Sequence, residues 1–277
     1  MESEEILTSM TRRERVECLL RSFGGVVVAC SGGVDSVLLA AVAARVLGDR
    51  AVAATAVSES LALGELEDAR AAAKAAGIRH IEVRTREIEN PAYSRNAPDR
   101  CFHCKDTAYG HFTDLAKELG LPVVVDGTNA DDTGDYRPGR QAAREHGVRS
   151  PLAEAGLGKK AIREWARELG LGVWDKPAAA CLSSRIPYGS EVTSEKLRRI
   201  ELAEAALKAA GLRQCRVRDH DGLARIEVEP EALERVLELR DVLLPSFKGL
   251  GYAYVTVDLQ GFRSGSMNEV ISVPSPA

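Results

Sequence analysis

The sequence predicts an α/β fold in which a parallel-sheet domain is followed by a small α+β domain. Between Gly24 and Asp126, short apolar runs alternate with helical patterns: GVVVAC, SVLLAAVAARVLG, AVAATAV, LGELEDARAAAKAAG, HIEVRT, KDTAYGHFTDLAKELG and PVVVDG. That alternation is the signature of βαβ units. The runs Val26 to Ala29 and Val123 to Val125 are apolar at every position, as strands covered on both faces require. Beyond a Pro- and Ser-rich crossing, WDKPAAACLSSRIPYGSE, the order changes to helix, strand, strand, helix, strand.

Taken in order, the first strand and the helix from Ser36 open the domain, and the second strand at Ala51 to Val57 leads into a helix from Leu63. The third strand carries HIEVRT, a helix is expected from Lys105, and Val123 begins the fourth strand. A helix from about Lys159 to Leu169 precedes the crossing, and a boundary near Tyr188 divides the chain into 1–188 and 189–277. The second domain is expected to hold a helix at Ser194 to Ala210, strands at Gln214 to Arg218 and Ala224 to Val228, a helix from Pro230, and a strand at Tyr252 to Asp258. Leu197, Ile200, Ala203 and Leu207 share one face of the first of these helices, enough to pack it on its own sheet.

Composition narrows the function classes. Of 277 residues, 45% are hydrophobic and 28% charged, which suits a chain able to bury a sizeable core. The net charge of -4 argues against a nucleic-acid partner, because phosphate backbones are bound through a basic excess. The N-terminus MESEEILTSM has no apolar signal core, and the most apolar stretch, Val37 to Ala44, is too short to span a bilayer. A cytoplasmic location without membrane attachment is therefore expected, and the six cysteines point to thiol or metal chemistry rather than to a disulfide framework.

The segment Ser31-Gly32-Gly33-Val34-Asp35-Ser36 follows the first strand and opens a helix, so its backbone N–H groups gather at a positive helix end. The glycines let a phosphate approach the backbone, Ser31 and Ser36 add hydroxyls, and Asp35 can hold magnesium against the phosphates. No lysine ends this loop as it would a Walker loop, so the loop reads as a pyrophosphate grip. Ser58 after the second strand, and Gly127, Thr128, Asn129 and Asp131 after the fourth, fall at the C-terminal sheet edge where such folds bind ligands. They are the expected lining of the nucleotide and metal site.

Cys101-Phe102-His103-Cys104, expected in an exposed loop, has a spacing that suits zinc, an iron–sulfur centre or a dithiol. Cys181 is the sole cysteine of the second Pro/Ser-rich loop, and three thiolates suit a cluster with one open iron. Cys18, Cys30 and Cys215 read as small buried hydrophobes.

The string SGGVDS in its strand-turn-helix setting resembles the PP-loop of the ATP pyrophosphatases, which include GMP, NAD and argininosuccinate synthetases and tRNA-thiolating enzymes. That likeness implies an adenine nucleotide alpha hydrolase-like domain that cleaves ATP to AMP and pyrophosphate and traps its substrate as an acyl-adenylate. Four further strings, DGTNADD at Asp126, KPAAACLSSRIPYG at Lys176, VRDHDGLARIEV at Val217 and LQGFRSGSMNE at Leu259, resemble the LarE family over nearly the whole chain. The resemblance implies thiolation of pyridinium-3,5-biscarboxylic acid mononucleotide, on the route to the nickel-pincer nucleotide cofactor, with ATP and magnesium as cofactors and Asp35 required for adenylation. By the same resemblance, Cys101, Cys104 and Cys181 hold a 4Fe-4S cluster that delivers sulfur; the alternative is Cys181 as a sacrificial donor, left as dehydroalanine.

The anionic substrate asks for cations, supplied by Arg185, Arg216, Arg218 and Arg263, with Ser183 and Ser184 adding hydrogen bonds. Arg216 and Arg218 alternate on one strand and so share a face, a two-pronged grip on a phosphate. The family likeness also implies a homo-oligomer, a hexamer being one candidate, and a substrate-binding and oligomerisation role for 189–277. Three rivals remain: a tRNA thiolase, an ammonia-using synthetase that would leave the three cysteines unexplained, and a non-catalytic nucleotide-binding regulator.

Overall fold

The computed structural model describes residues 10–134, 138–177, 180–263 and 266–269. The chain divides into two compact units, residues 1–87 with 101–179, and residues 88–100 with 180–277.

In the first unit, α1 (Arg12–Phe23) starts on a capping box in which Thr11 and Glu14 satisfy each other's backbone N–H groups. There follow β1 (Val26–Ala29), α2 (Val34–Leu47), β2 (Ala51–Val57), α3 (Leu63–Ala75) and β3 (Arg79–Arg84). The segment Ile88–Arg100, with the short α4 (Pro91–Ser94), belongs to the second unit. The first resumes with α5 (Arg100–Glu118), β4 (Val123–Asp126), α6 (Gly139–Glu145), α7 (Pro151–Glu154) and α8 (Lys159–Glu168). The strands form one sheet in the order β3-β2-β1-β4, all parallel, so the expected α/β architecture is borne out.

Both faces of this sheet are covered, which explains the unbroken apolar strands. Val26 and Val28 join α1, α2 and α8 through Val16, Leu20, Leu38, Ile162 and Trp165. Val27, Val52 and Val124 face the opposite way, against Tyr109 and Phe112 of α5 and Ala142 of α6.

Two expectations about the cysteines need correction. Cys18, read as a small buried hydrophobe, is exposed on α1, whereas Cys30 and Cys215 are buried. Cys101 and Cys104 lie not in a loop but on the first turn of α5, which begins at Arg100, five residues before the expected start. Pro98 and Asp99 immediately precede it, residues that favour a helix start.

The second unit contains α9 (Ser194–Ala209), capped by the Thr193 side chain on Lys196 N–H, then β5 (Cys215–His220), β6 (Leu223–Val228), α10 (Leu233–Glu238), α11 (Arg240–Gly249) and β7 (Tyr254–Val257). Its sheet order is β5-β6-β7, with β5 and β6 antiparallel and β6 and β7 parallel. Ala203 and Leu207 of α9 pack on Val217, Ile226, Phe247 and Tyr252. The single helix expected from Pro230 is a 3-10 turn over Pro230–Ala232 followed by two helices. Among the described residues, no helix is long and apolar enough to cross a membrane.

Candidate active site

The first unit assembles the nucleotide loop where β1 and β4 separate, the switch point at which open α/β sheets bind ligands. Helix α2 starts at Gly33, which offers no side-chain cap, so its first N–H groups are left for an anion. Gly32 has φ +75°, and a Cβ there would stand 3.3 Å from the backbone of α3 at Glu65 O and Ala69 N. Ser36 Oγ donates to Gly33 O at 3.1 Å and accepts from Ser31 N–H at 3.1 Å, fixing the loop's curvature.

The loop after β4 is pressed against this one. A Cβ on Gly127 would stand 2.7 Å from Ser36 N and 3.0 Å from Asp35 C, so only glycine fits. Asn129 Nδ2 reaches Asp35 Oδ1 at 3.5 Å. Thr128 turns inward: its N–H and Oγ donate to the buried carboxylate of Asp126, which also accepts from Tyr109 OH at 2.8 Å and Ser150 Oγ at 2.7 Å. Burial, with Asp126 adding to it, pushes the Tyr109 phenol up to about 12. Ser31 to Ser36, Gly127 and Asn129 are thus brought together. Ser58 bonds Ser60 Oγ at 2.9 Å at the end of β2, and Asp131 accepts the Lys159 N–H at 2.7 Å at the start of α8.

Two cations missed by sequence reasoning stand at this loop. Lys159 Nζ pairs with Asp35 Oδ2, and Lys176 Nζ sits 2.8 Å from Glu65, 2.7 Å from Asp68 and 3.4 Å from Gly32 O. A signal existed for the first: Gly158-Lys159-Lys160 puts two lysines and no acid in a helix's first turn, where the macrodipole disfavours cations. The loop without a Walker lysine takes its positive charge from elsewhere in the unit.

Cys101 is exposed and Cys104 half-buried. Their three-residue spacing puts them on one side of α5, with Cys104 Sγ 3.7 Å from Oε1 of the buried Glu87. Among the described residues, no group of three or more His, Cys, Asp or Glu side chains is arranged to hold a metal ion. Magnesium needs no such cage, since it takes one or two carboxylates plus substrate phosphates.

In the second unit, Cys181 is exposed and opens a 3-10 turn, Leu182–Arg185. Its carbonyl accepts from Ser184 N–H at 3.0 Å, Ser184 Oγ at 2.7 Å and Arg185 Nη1 at 2.9 Å. Arg185 is buried and gives its remaining donors to Ala180 O and, two-pronged, to Glu204 at 2.9 and 3.2 Å. Ser183 is buried against Tyr93, with its Oγ 2.5 Å from the phenol oxygen.

The four arginines expected to meet the substrate differ in what they already hold. Arg218 is tied to Glu227 at 2.6 Å, Ser266 at 2.9 Å and Ser184 O at 3.1 Å, and Arg263 grips Glu269 at 2.8 and 3.1 Å. Arg216 is half-buried over the Phe262 ring, and among the described residues it pairs with no carboxylate. Burial, reinforced by Arg185 and Arg218, holds its pKa below the ordinary arginine value. An unneutralised, partly desolvated guanidinium is poised for an anion.

An uncapped phosphate nest at the sheet's switch point, with an aspartate at its helix start, defines an ATP-pyrophosphatase-type nucleotide site. A family model described as asparagine synthase matches residues 13–170, which span the first unit's sheet. The chain is 48% identical over 93% of its length, and 98% of the relative's, to an uncharacterized protein of Synechocystis sp.. It is 36% identical, over 96% of both chains, to the pyridinium-3,5-bisthiocarboxylic acid mononucleotide synthase of Lactiplantibacillus plantarum. A tRNA-specific 2-thiouridylase of Sphingopyxis alaskensis is 32% identical over 55% of this chain and 49% of its own. The chain belongs to the LarE family of ATP-dependent sulfurtransferases within the PP-loop superfamily.

Proposed function

We propose that this enzyme converts the two carboxylates of pyridinium-3,5-biscarboxylic acid mononucleotide to thiocarboxylates for nickel-pincer nucleotide biosynthesis. The substrate class follows from the relative matched over 96% of both chains. The observation in this chain that carries the sulfur chemistry is the state of Cys181, exposed at the head of a turn whose other polar groups are bonded.

A substrate carboxylate oxygen attacks the α-phosphorus of ATP, the bond to the β-phosphate oxygen breaks and pyrophosphate leaves. The N–H groups at the start of α2 stabilise the departing charge, Lys159 moves from Asp35 toward the phosphates, and Asp35 is freed for magnesium. Arg216, with Arg218 beside it on β5, receives the mononucleotide phosphate. Sulfur then attacks the acyl carbon and AMP leaves.

Cys101, Cys104 and Cys181 are the residues that would hold a 4Fe-4S cluster, which would supply sulfur repeatedly. The alternative is Cys181 as a single-use donor. That second reading rests on Cys181 alone, exposed at the head of its turn. In it, Cys181 Sγ forms a thioester as AMP leaves, then loss of the Cα proton and breakage of the Cβ–Sγ bond release the thiocarboxylate and leave dehydroalanine.

Iron and acid-labile sulfide content of anaerobically purified and reconstituted protein tests the two. About four irons per chain, lost on Cys101→Ala, supports the cluster. Iron-free protein in which Cys181 is left as dehydroalanine once per sulfur transferred, lighter by the mass of hydrogen sulfide, supports the single-use donor. In either case Cys181→Ala is expected to release pyrophosphate with substrate present and to make no thiocarboxylate; product at the wild-type rate would overturn the sulfur assignment. A cytoplasmic homo-oligomer is part of the same reading, with light scattering giving the subunit number.

A further inference from the structure

The segment Ile88–Arg100 takes no part in the chemistry above, yet it belongs to the second unit and its polar groups converge on the loop after Cys181. Asn96 is fully buried and sits at φ 57°, a left-handed conformation asparagine tolerates better than most residues. Its Nδ2 donates to the carbonyls of Ile186 (3.2 Å), Pro187 (2.7 Å) and Ser190 (3.0 Å), and its carbonyl accepts from Gly189 N–H at 3.0 Å. Its Oδ1 accepts from Arg100 Nη1 at 2.5 Å, and the same nitrogen donates to Ser183 O at 2.8 Å. Tyr93 OH meets Ser183 Oγ, and Val192 N–H donates to Ser94 O at 2.7 Å.

We propose that Tyr93, Asn96 and Arg100 are positioning residues for sulfur transfer, holding the part of the Cys181 turn that Arg185 does not. The inference deepens the reading of Cys181 as the sulfur-carrying residue and rests on it. Arg185 holds the carbonyls of Ala180 and Cys181, whereas Arg100 and Tyr93 hold the carbonyl and hydroxyl of Ser183, two residues on. Gripped at both ends, the turn holds the Cys181 backbone in place with the residue exposed, and a fixed position for the reacting group is what proximity catalysis requires. Arg100 is also the residue before Cys101.

The test is the amount of thiocarboxylate made per pyrophosphate released, in single turnovers of the full chain with ATP and the mononucleotide, for Arg100→Lys and Tyr93→Phe. A displacement of about 1 Å at a reacting atom costs about 10²-fold, so Arg100→Lys should lower this ratio about 10²-fold while pyrophosphate release stays near wild type. Tyr93→Phe, which deletes one hydroxyl and keeps the ring, should lower it about five- to tenfold. It remains informative should Arg100→Lys fail to fold. Alkylation of Cys181 by iodoacetamide, read on its peptide by mass spectrometry, should change rate in both variants without substrate present. An unchanged ratio in both variants, or product and pyrophosphate falling in parallel with the thermal midpoint, would overturn the proposal. Cys181→Ala separates the two failures: product from that variant would sink the sulfur assignment itself, whereas no product from it beside unaltered Tyr93→Phe and Arg100→Lys would sink only the positioning role.

Discussion

Glu204→Gln should cost the second unit about 3–5 kcal/mol, because it strips the countercharge from a buried guanidinium and keeps the shape. Arg185 and Glu204 are both 4% exposed, joined by bonds of 2.9 and 3.2 Å, and Glu204 Oε1 also accepts the Val217 N–H at 3.2 Å. The pair therefore links the Cys181 turn, α9 and β5. Glutamine leaves one side-chain oxygen for three N–H donors and sets an amide nitrogen against Arg185. Both tryptophans, Trp165 and Trp174, lie in the first unit, so their fluorescence would report the wrong part of the chain. Hydrogen exchange on peptides covering β5 and α9 is the suitable readout, with protection expected to fall by the same free energy. Replacing both partners, Arg185→Met with Glu204→Leu, should cost less than Glu204→Gln alone, since no unpaired charge remains. A loss below about 1 kcal/mol, or a double variant worse than the single one, would refute the reasoning by showing that water solvates Arg185 adequately.

Three further outcomes are expected. Gly127→Ala should abolish ATP-dependent pyrophosphate release, because its Cβ would stand 2.7 Å from Ser36 N; isothermal titration with ATP should find the affinity lost with the fold intact by circular dichroism. Lys159→Ala breaks a partly exposed ion pair worth about 0.2–1 kcal/mol, so the thermal midpoint should hardly move, while adenylation falls about 10²-fold for want of a cation on the phosphates. Tyr109 should make the fold sensitive to alkali. Its phenol titrates at about 12 in the folded chain against 10.0 ordinarily, so its contribution is fully present below pH 10 and is lost as pH rises toward 12. Stability measured across that range should fall less steeply in Tyr109→Phe.

The sheet was legible because burial on both faces writes itself as apolar runs, and β1, β2 and β4 fall where those runs do. The start of α5 was not, because Cys101, Phe102, His103 and Cys104 carry no helical periodicity of their own and read as a metal motif first. Pro98 and Asp99 were the available signal. The membership of Ile88–Arg100 in the second unit was illegible for a different reason. It goes with bonds to partners about ninety residues away, among them one asparagine meeting three carbonyls, and no local pattern encodes such a meeting.

The charged residues expose the same boundary between what a pattern fixes and what packing decides. Alternation on β5 correctly marks Arg216 and Arg218 as neighbours, but it cannot tell a guanidinium already satisfied by Glu227 from one without a carboxylate. Net charge is equally uninformative: a chain at -4 can hold an anion site, because what a ligand meets is the local imbalance left after pairing. At the nucleotide loop the imbalance is hidden the opposite way, with Lys159 on Asp35 and Lys176 on Glu65 and Asp68, so the cations needed by a triphosphate are stored in ion pairs. On the function proposed above, exchange of those partners for phosphate would be an internal substitution of one anion for another, costing little desolvation and letting a loop with no lysine of its own accept so large a negative charge.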